Sequence, residues 1–167
     1  MAGELYAEVY SFLKLHTNPL ELTDPESSGR VLVAPDLAGR IMISTTEGMR
    51  GRSIGWINRR AFVGPKDPRF NNYGGEERLW LGPEGGQFSL YFQSGKPFTF
   101  ENWYVPKAFN DEPYAVVEAG ETEVTMVKSM TLRNYSGTAF DLLIERKCRV
   151  IPRTQAATEL DLSLIHI

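Results

Sequence analysis

Cysteine and histidine are almost missing: the 167 residues contain one cysteine, Cys148, and two histidines, His16 and His166. A single thiol cannot form an intramolecular disulfide, and it excludes a cysteine-based zinc site. A histidine-rich metal centre or a Ser-His-Asp triad would have to use one of the two histidines, and neither neighbourhood resembles one. No metal and no cofactor are expected on these grounds. Long apolar runs are missing as well: nothing approaches the roughly 20 residues of a membrane-spanning helix, so no membrane partner is expected. The N-terminus, MAGELYAEVYSFLKLH, lacks the basic segment and unbroken apolar stretch of a signal peptide, which gives a cytoplasmic reading by default. Positive charge is not in excess, with a net charge of −3 and a pI near 5.5, so a nucleic-acid partner is not expected either. There is no internal repeat and no low-complexity tract. What is present, 42% hydrophobic and 23% charged residues, is ordinary for one globular domain.

One helix stands out. Over Glu4 to His16, Leu5, Val9, Phe12 and His16 recur at helical spacing with Tyr6 and Leu13 beside them, and Asn18-Pro19 ends the pattern. His16 reads as a last-turn residue suited to the helix C-terminus. The rest alternates between β-branched runs and turn residues. Strands are expected from Leu20, over Arg30–Ala34 and Arg40–Thr45, over Ser53–Phe62, and over Gln87–Gln93, where Phe88, Leu90 and Phe92 share one face. Further strands are expected over Tyr114–Glu118, Glu123–Arg133 and Thr138–Ile151, the last two joined by a hairpin at Asn134-Tyr135-Ser136-Gly137. Lys128 and Arg146 interrupt the apolar faces of the two long strands, either as a cross-strand feature or as part of a polar groove. One helix against some eight strands argues for an all-β fold, an antiparallel β-sandwich with one short N-terminal helix.

The chemistry concentrates in Asn71 to Phe92, NNYGGEERLWLGPEGGQFSLYF. Gly74-Gly75 and Gly85-Gly86 bracket Glu76, Glu77, Arg78, Leu79, Trp80 and Leu81 between two flexible or closely approached loops. Carboxylates and a guanidinium bind hydroxyl groups, and an indole offers a flat face to the C–H side of a pyranose. A carbohydrate is therefore the expected small-molecule partner.

RIMISTTEGMRGRSIGWINRRAF, YGGEERLWLGPEGGQFS and MTLRNYSGTAFDLLIERKCRVI resemble the N-terminal half of an uncharacterised bacterial family related to the aldose 1-epimerase (galactose mutarotase-like) supersandwich proteins. The resemblance runs from the first helix to Ile151. It implies that the domain, placed at 1–159, is part of a supersandwich truncated on its C-terminal side. The final segment, 160–167, resembles translated adapter read-through from broken metagenomic assemblies and is set aside as a non-native tail. Asn58-Arg59 followed by a Gly-Gly loop is similar to the epimerases' sugar-binding region, although Tyr73 stands where they have histidine. No residue matches their catalytic histidine, and their catalytic glutamate would fall beyond the chain. The resemblance thus implies the fold and sugar binding, and together with the residue chemistry above it puts the expected ligand on the concave sheet face, contacted by Asn58, Arg59, Glu76, Glu77, Arg78, Trp80 and Glu84. Whether the full-length protein is an enzyme stays open. If it is, an aldose 1-epimerase-like isomerase moving protons at an anomeric centre is implied, with this fragment alone inactive.

Blander readings stand beside these. Adjacent residues on a strand face opposite sides, so Glu76 and Glu77, the only catalytic candidates, cannot act as a pair there; one could reach a ligand while the other pairs with Arg78 or Arg59. Arg78 most simply orients a carboxylate. Trp80 and Trp56 are core residues or ligand platforms, Glu84 a solvated turn residue or a ligand group, and Cys148 a small buried hydrophobe. The alternative to a carbohydrate-active protein is a non-catalytic sugar-binding or structural sandwich. A lyase or glycoside hydrolase would need separated carboxylates that adjacent residues do not supply. The oligomeric state, like the identity of the sugar, is not legible.

Overall fold

The computed structural model describes residues 3–160, which form two antiparallel three-stranded sheets and a short N-terminal helix. Helix α1 (Tyr6–Lys14) leads into β1 (Leu20–Thr23), β2 (Arg30–Ala34) and β3 (Arg40–Thr45), a meander in sequence order. Residues 46–114 then run without a named strand and contain the short helix α2 (Arg59–Val63). A second meander follows, β4 (Ala115–Ala119), β5 (Glu123–Arg133) and β6 (Ala139–Arg149), and then helix α3 (Arg153–Glu159).

The first sheet has apolar residues on both faces. Tyr6, Val9 and Leu13 of α1 pack with Leu32, Ala34, Met42 and Ile43 in one core cluster. Leu22 and Val33 belong to a second cluster together with Val124, Met126, Met130 and Leu132 of β5 and Cys148 of β6. Residues 90–92, with Val105, Phe109 and Tyr114, fill the same cluster. A shift of register between Leu32 and Val33 sets Leu32 against Ile43 but Val33 against Ile41. This irregularity lets both sides of β3 be apolar. Each fully buried Leu, Ile or Met in such a core stabilises by about 1.5–3 kcal/mol.

The helix is one turn shorter than its pattern suggests, and its buried stripe is Tyr6, Val9 and Leu13, so that of the expected face only Val9 is buried. Leu5 is exposed, and its N–H is capped by Glu8 Oε2 at 3.2 Å. At the other end Thr17 Oγ donates to the Leu13 carbonyl at 3.0 Å, and His16 packs against Phe12 and Phe62.

Two expected strands do not form. Over Ser53–Phe62 the chain makes scattered contacts in place of a ladder: Ser53 N to Glu4 O (2.9 Å), Ile54 N to Ser44 O (3.0 Å) and a bridge between Ile57 and Gly74. It then winds into α2, where Arg59, Arg60 and Ala61 suit a helix better than a pleat. Over Gln87–Gln93 the alternation fails because Ser89, Leu90, Tyr91 and Phe92 are all buried, while Phe88 is exposed. Ser89 Oγ accepts the Tyr91 N–H at 3.0 Å and donates to Glu84 O at 2.7 Å, a local side-chain turn that competes with a ladder. Helix α3 was not anticipated. The segment set aside as a tail lies outside the described residues beyond Leu160.

Segment 46–114 is held by isolated backbone bonds, such as Val105 N to Arg69 O at 2.7 Å, and by side-chain bonds, without a ladder. Asn71 Nδ2 donates to Asp67 O at 2.9 Å and to Asp111 Oδ2 at 3.2 Å, and Tyr91 Oη donates to Leu81 O at 2.6 Å. Long strandless connections of this kind inside a domain tend to carry function.

Candidate functional site

The second half of the Tyr73–Arg78 segment lies along β3. Ile41 N donates to Glu77 O at 3.0 Å, and Glu76 N donates to Ile41 O at 2.9 Å. On its other side Gly75 N reaches Trp56 O at 2.8 Å and Asn58 N reaches Tyr73 O at 3.1 Å. Gly74 (φ +80°) and Gly75 (φ +101°) make this possible. A Cβ on Gly74 would stand 2.2 Å from Trp56 O, and one on Gly75 would stand 2.9 Å from Ile41 O. The double glycine is therefore a close backbone approach in the left-handed region, where side chains are strained. Asn72 Oδ1 accepts the Gly74 N–H at 3.2 Å and fixes the turn.

This packing opens a cleft of about 250 Å³ lined by Arg40, Trp56, Asn72 and residues 74–78. Glu76 and Glu77 diverge as strand geometry requires. Glu76 Oε2 accepts a bond from Ser44 Oγ at 2.8 Å on β3. Glu77 forms an ion pair with Arg146 of β6, and the same guanidinium donates to Gly39 O at 3.3 Å. The expected partners of the two glutamates, Arg78 or Arg59, are not the ones found. The Arg146 position, unresolved in the pattern of β6, is a tie between the second sheet and the cleft. Lys128 does a comparable job with Glu112 at 2.8 Å.

Arg40 is the most deeply placed charge, only 1% exposed. Its Nη1 donates to Gly74 O at 2.8 Å and its Nη2 to Asn110 O at 3.3 Å, while Nε is buried without a partner among the described residues. Burial first, and the nearby Arg78 cation second, push its pKa down to about 10. Arg78 lies over the Trp80 ring at 4.0 Å and the Phe70 ring at 5.1 Å, and its Nη1 donates to Asn110 Oδ1 at 3.4 Å. Burial lowers its pKa as well. Instead of orienting a carboxylate, Arg78 is held by two aromatic faces and an amide.

Of the seven sequence-derived binding residues, three come together here: Glu76, Glu77 and Arg78. The other four do not line the cleft. Asn58 gives its Nδ2 to Asn72 O at 2.9 Å, and Arg59 bonds Glu4 Oε1 at 2.5 Å while covering the Phe12 ring at 4.3 Å. The strand expected to carry them does not form, and Arg59 opens α2 instead. Trp80 stacks on Tyr91 at 5.0 Å, and its Nε1 donates to Glu84 Oε1 at 2.8 Å, so each engages the other. Trp56 takes the place intended for Trp80: it lines the cleft and is 61% exposed. Arg40 and Asn110 were missed. A lone Arg heading the apolar run of β3 was the available signal for the first, and Asn110 left none. Among the described residues, no group of three or more His, Cys, Asp or Glu could hold a metal ion, and no helix is long and apolar enough to cross a membrane.

A match to the model of a family of unknown function, DUF6786, covers residues 4–166, so the chain belongs to that family. No curated protein and no solved structure matches the chain.

Proposed function

We propose that the cleft binds a carbohydrate. The observation that carries this reading is the company kept by Trp56: an exposed indole beside two carboxylates and two guanidiniums in a small concavity. Indole faces take the C–H side of a sugar ring, and charged groups take its hydroxyls. The volume sits near the small end of ligand cavities, which begin at about 300 Å³, and suits a monosaccharide unit. For any proton transfer at an anomeric centre, Glu76 is the better candidate base. Its Oε1 has no partner among the described residues, whereas Glu77 is committed to Arg146. The resemblance to mutarotase-like supersandwich proteins agrees with this reading. So does the core shared by the two sheets, which an antiparallel sandwich would produce.

A titration of the purified chain with a panel of free aldoses, followed by NMR shifts and by the rate of anomer interconversion, tests the proposal. Saturable shifts that disappear in Trp56→Ala are expected. Acceleration of interconversion lost in Glu76→Gln would extend the reading to an isomerase, and silence toward every sugar would overturn it. The purely structural reading draws on the Glu77–Arg146 pair, which links the sheets whatever the cleft holds.

A further inference from the structure

Resting on the carbohydrate reading, we propose that the cleft selects an anionic sugar, with its carboxylate or phosphate group seated between Arg40 and Arg78. Four other arginines, Arg30, Arg59, Arg69 and Arg146, each have a carboxylate oxygen at 2.5–3.6 Å. Arg40 and Arg78 have none that close among the described residues. They converge instead on one neutral acceptor, Asn110 Oδ1, which lies 3.5 Å from Arg40 Nη2 and 3.4 Å from Arg78 Nη1. Two cations are thus held side by side, one of them almost wholly out of water, with an amide oxygen where a counter-anion would be favoured.

The nearby acids Asp111, Glu77 and Glu84 attract these cations only from beyond ion-pair distance. Glu77 is turned toward Arg146, Asp111 accepts from Asn71, and Glu84 accepts from Trp80. Glu76 bonds Ser44 and is the one cleft carboxylate without a cation of its own. With Glu77 neutralised by Arg146, the lining retains Arg40 and Arg78 against Glu76 alone, an excess of positive charge. The donor inventory agrees. Among the described residues the Arg40 Nε proton has no acceptor, and the Arg78 guanidinium donates one hydrogen bond, to Asn110 Oδ1. Planar forks of this type recognise carboxylate and phosphate oxygens by paired bonds. Trp56 and Glu76 leave the rest of the cleft to a ring with hydroxyl groups, which makes a sugar bearing the anion the better fit than a bare ion.

Calorimetric titration at low salt with glucose, glucuronate, glucose 6-phosphate and inorganic phosphate tests this. At least one of the two anionic sugars is expected to bind about 10- to 100-fold more tightly than glucose, the value of one charge-assisted bond. Which of the two is preferred identifies the anion. The preference should shrink as salt is raised. It should vanish in Arg78→Gln, a half-buried position whose variant is checked for an unchanged fold by circular dichroism. Equal affinity for glucose and both anionic sugars would overturn this inference and leave the carbohydrate reading standing. Binding of none of the sugars would overturn both. Inorganic phosphate binding as tightly as glucose 6-phosphate, or a preference that persists in folded Arg78→Gln, would also refute the proposal.

Discussion

Replacing Gly74 with alanine should cost this protein far more than the same change at Gly86, although both glycines have φ of +80°. The left-handed conformation alone costs a side chain about 1–2 kcal/mol, and that term is common to both sites. At Gly86 nothing lies within 4 Å of the added Cβ, so the cost ends there. At Gly74 the Cβ would be 2.2 Å from Trp56 O and 3.1 Å from Ile57 Cα, both backbone atoms that cannot rotate away. Relief requires the two chains to separate. That would weaken the bond from Gly75 N to Trp56 O (2.8 Å) and the one from Asn58 N to Tyr73 O (3.1 Å). At about 1 kcal/mol for each bond, the total at Gly74 comes to about 3–4 kcal/mol. In a chain of this size each kcal/mol lowers Tm by about 2–4 °C, so the variants should be well separated in a thermal melt. Urea unfolding followed by tryptophan fluorescence gives the same difference as free energy. If Gly74→Ala and Gly86→Ala lose the same stability within error, Gly74 does not approach Trp56, and the account of how the cleft is built is wrong.

Glu77→Gln should destabilise by about 1–3 kcal/mol, because Arg146 is left largely buried without a counter-charge. In an Arg146→Met background the same change should cost almost nothing, and additivity in that double-mutant cycle would refute the pairing. Burial raises the Tyr6 and Tyr91 phenols well above the ordinary value of 10.0, so folding holds both protonated where the unfolded chain would ionise them. Their contribution is complete below pH 10 and is lost as pH rises above it, with buried Arg40 opposing that trend because its own pKa is lowered. Stability should therefore fall above about pH 10, with tyrosinate absorbance from these two residues appearing only on unfolding. Ionisation while the protein is still folded would contradict their burial.

The sheets were legible because their signal is local. β2, β3 and β5 occupy the expected residues, since runs such as Arg30–Ala34 carry β-branched side chains between turn residues. Gln87–Gln93 misled because alternation implies one wet face, whereas four consecutive residues there are buried among aromatics from elsewhere in the chain. The heart of the cleft was visible in Gly74-Gly75-Glu76-Glu77-Arg78, a charged stretch next to a forced backbone approach. Asn58 and Arg59 lie outside the cleft lining because the chain coils into α2 where a strand was expected. Arg40 and Trp56 were not chosen because their meaning depends on partners far along the chain, which spacing cannot reveal.

Among the described residues, every pairing of named strands is between sequence neighbours, whereas the cleft depends on bonds spanning 34, 69 and 70 positions. Closing long loops costs entropy before any contact repays it, so the meanders can form early and the cleft only after them. The same inequality applies to the folded molecule. The stretch around Gly75 is held by isolated bridges and not by a ladder, so amide protons at Gly75 and Glu76 should exchange well before those of β5. Binding and folding would then be coupled: an occupant of the cleft would also act as a fastener, slowing the exchange of a segment that has no ladder of its own.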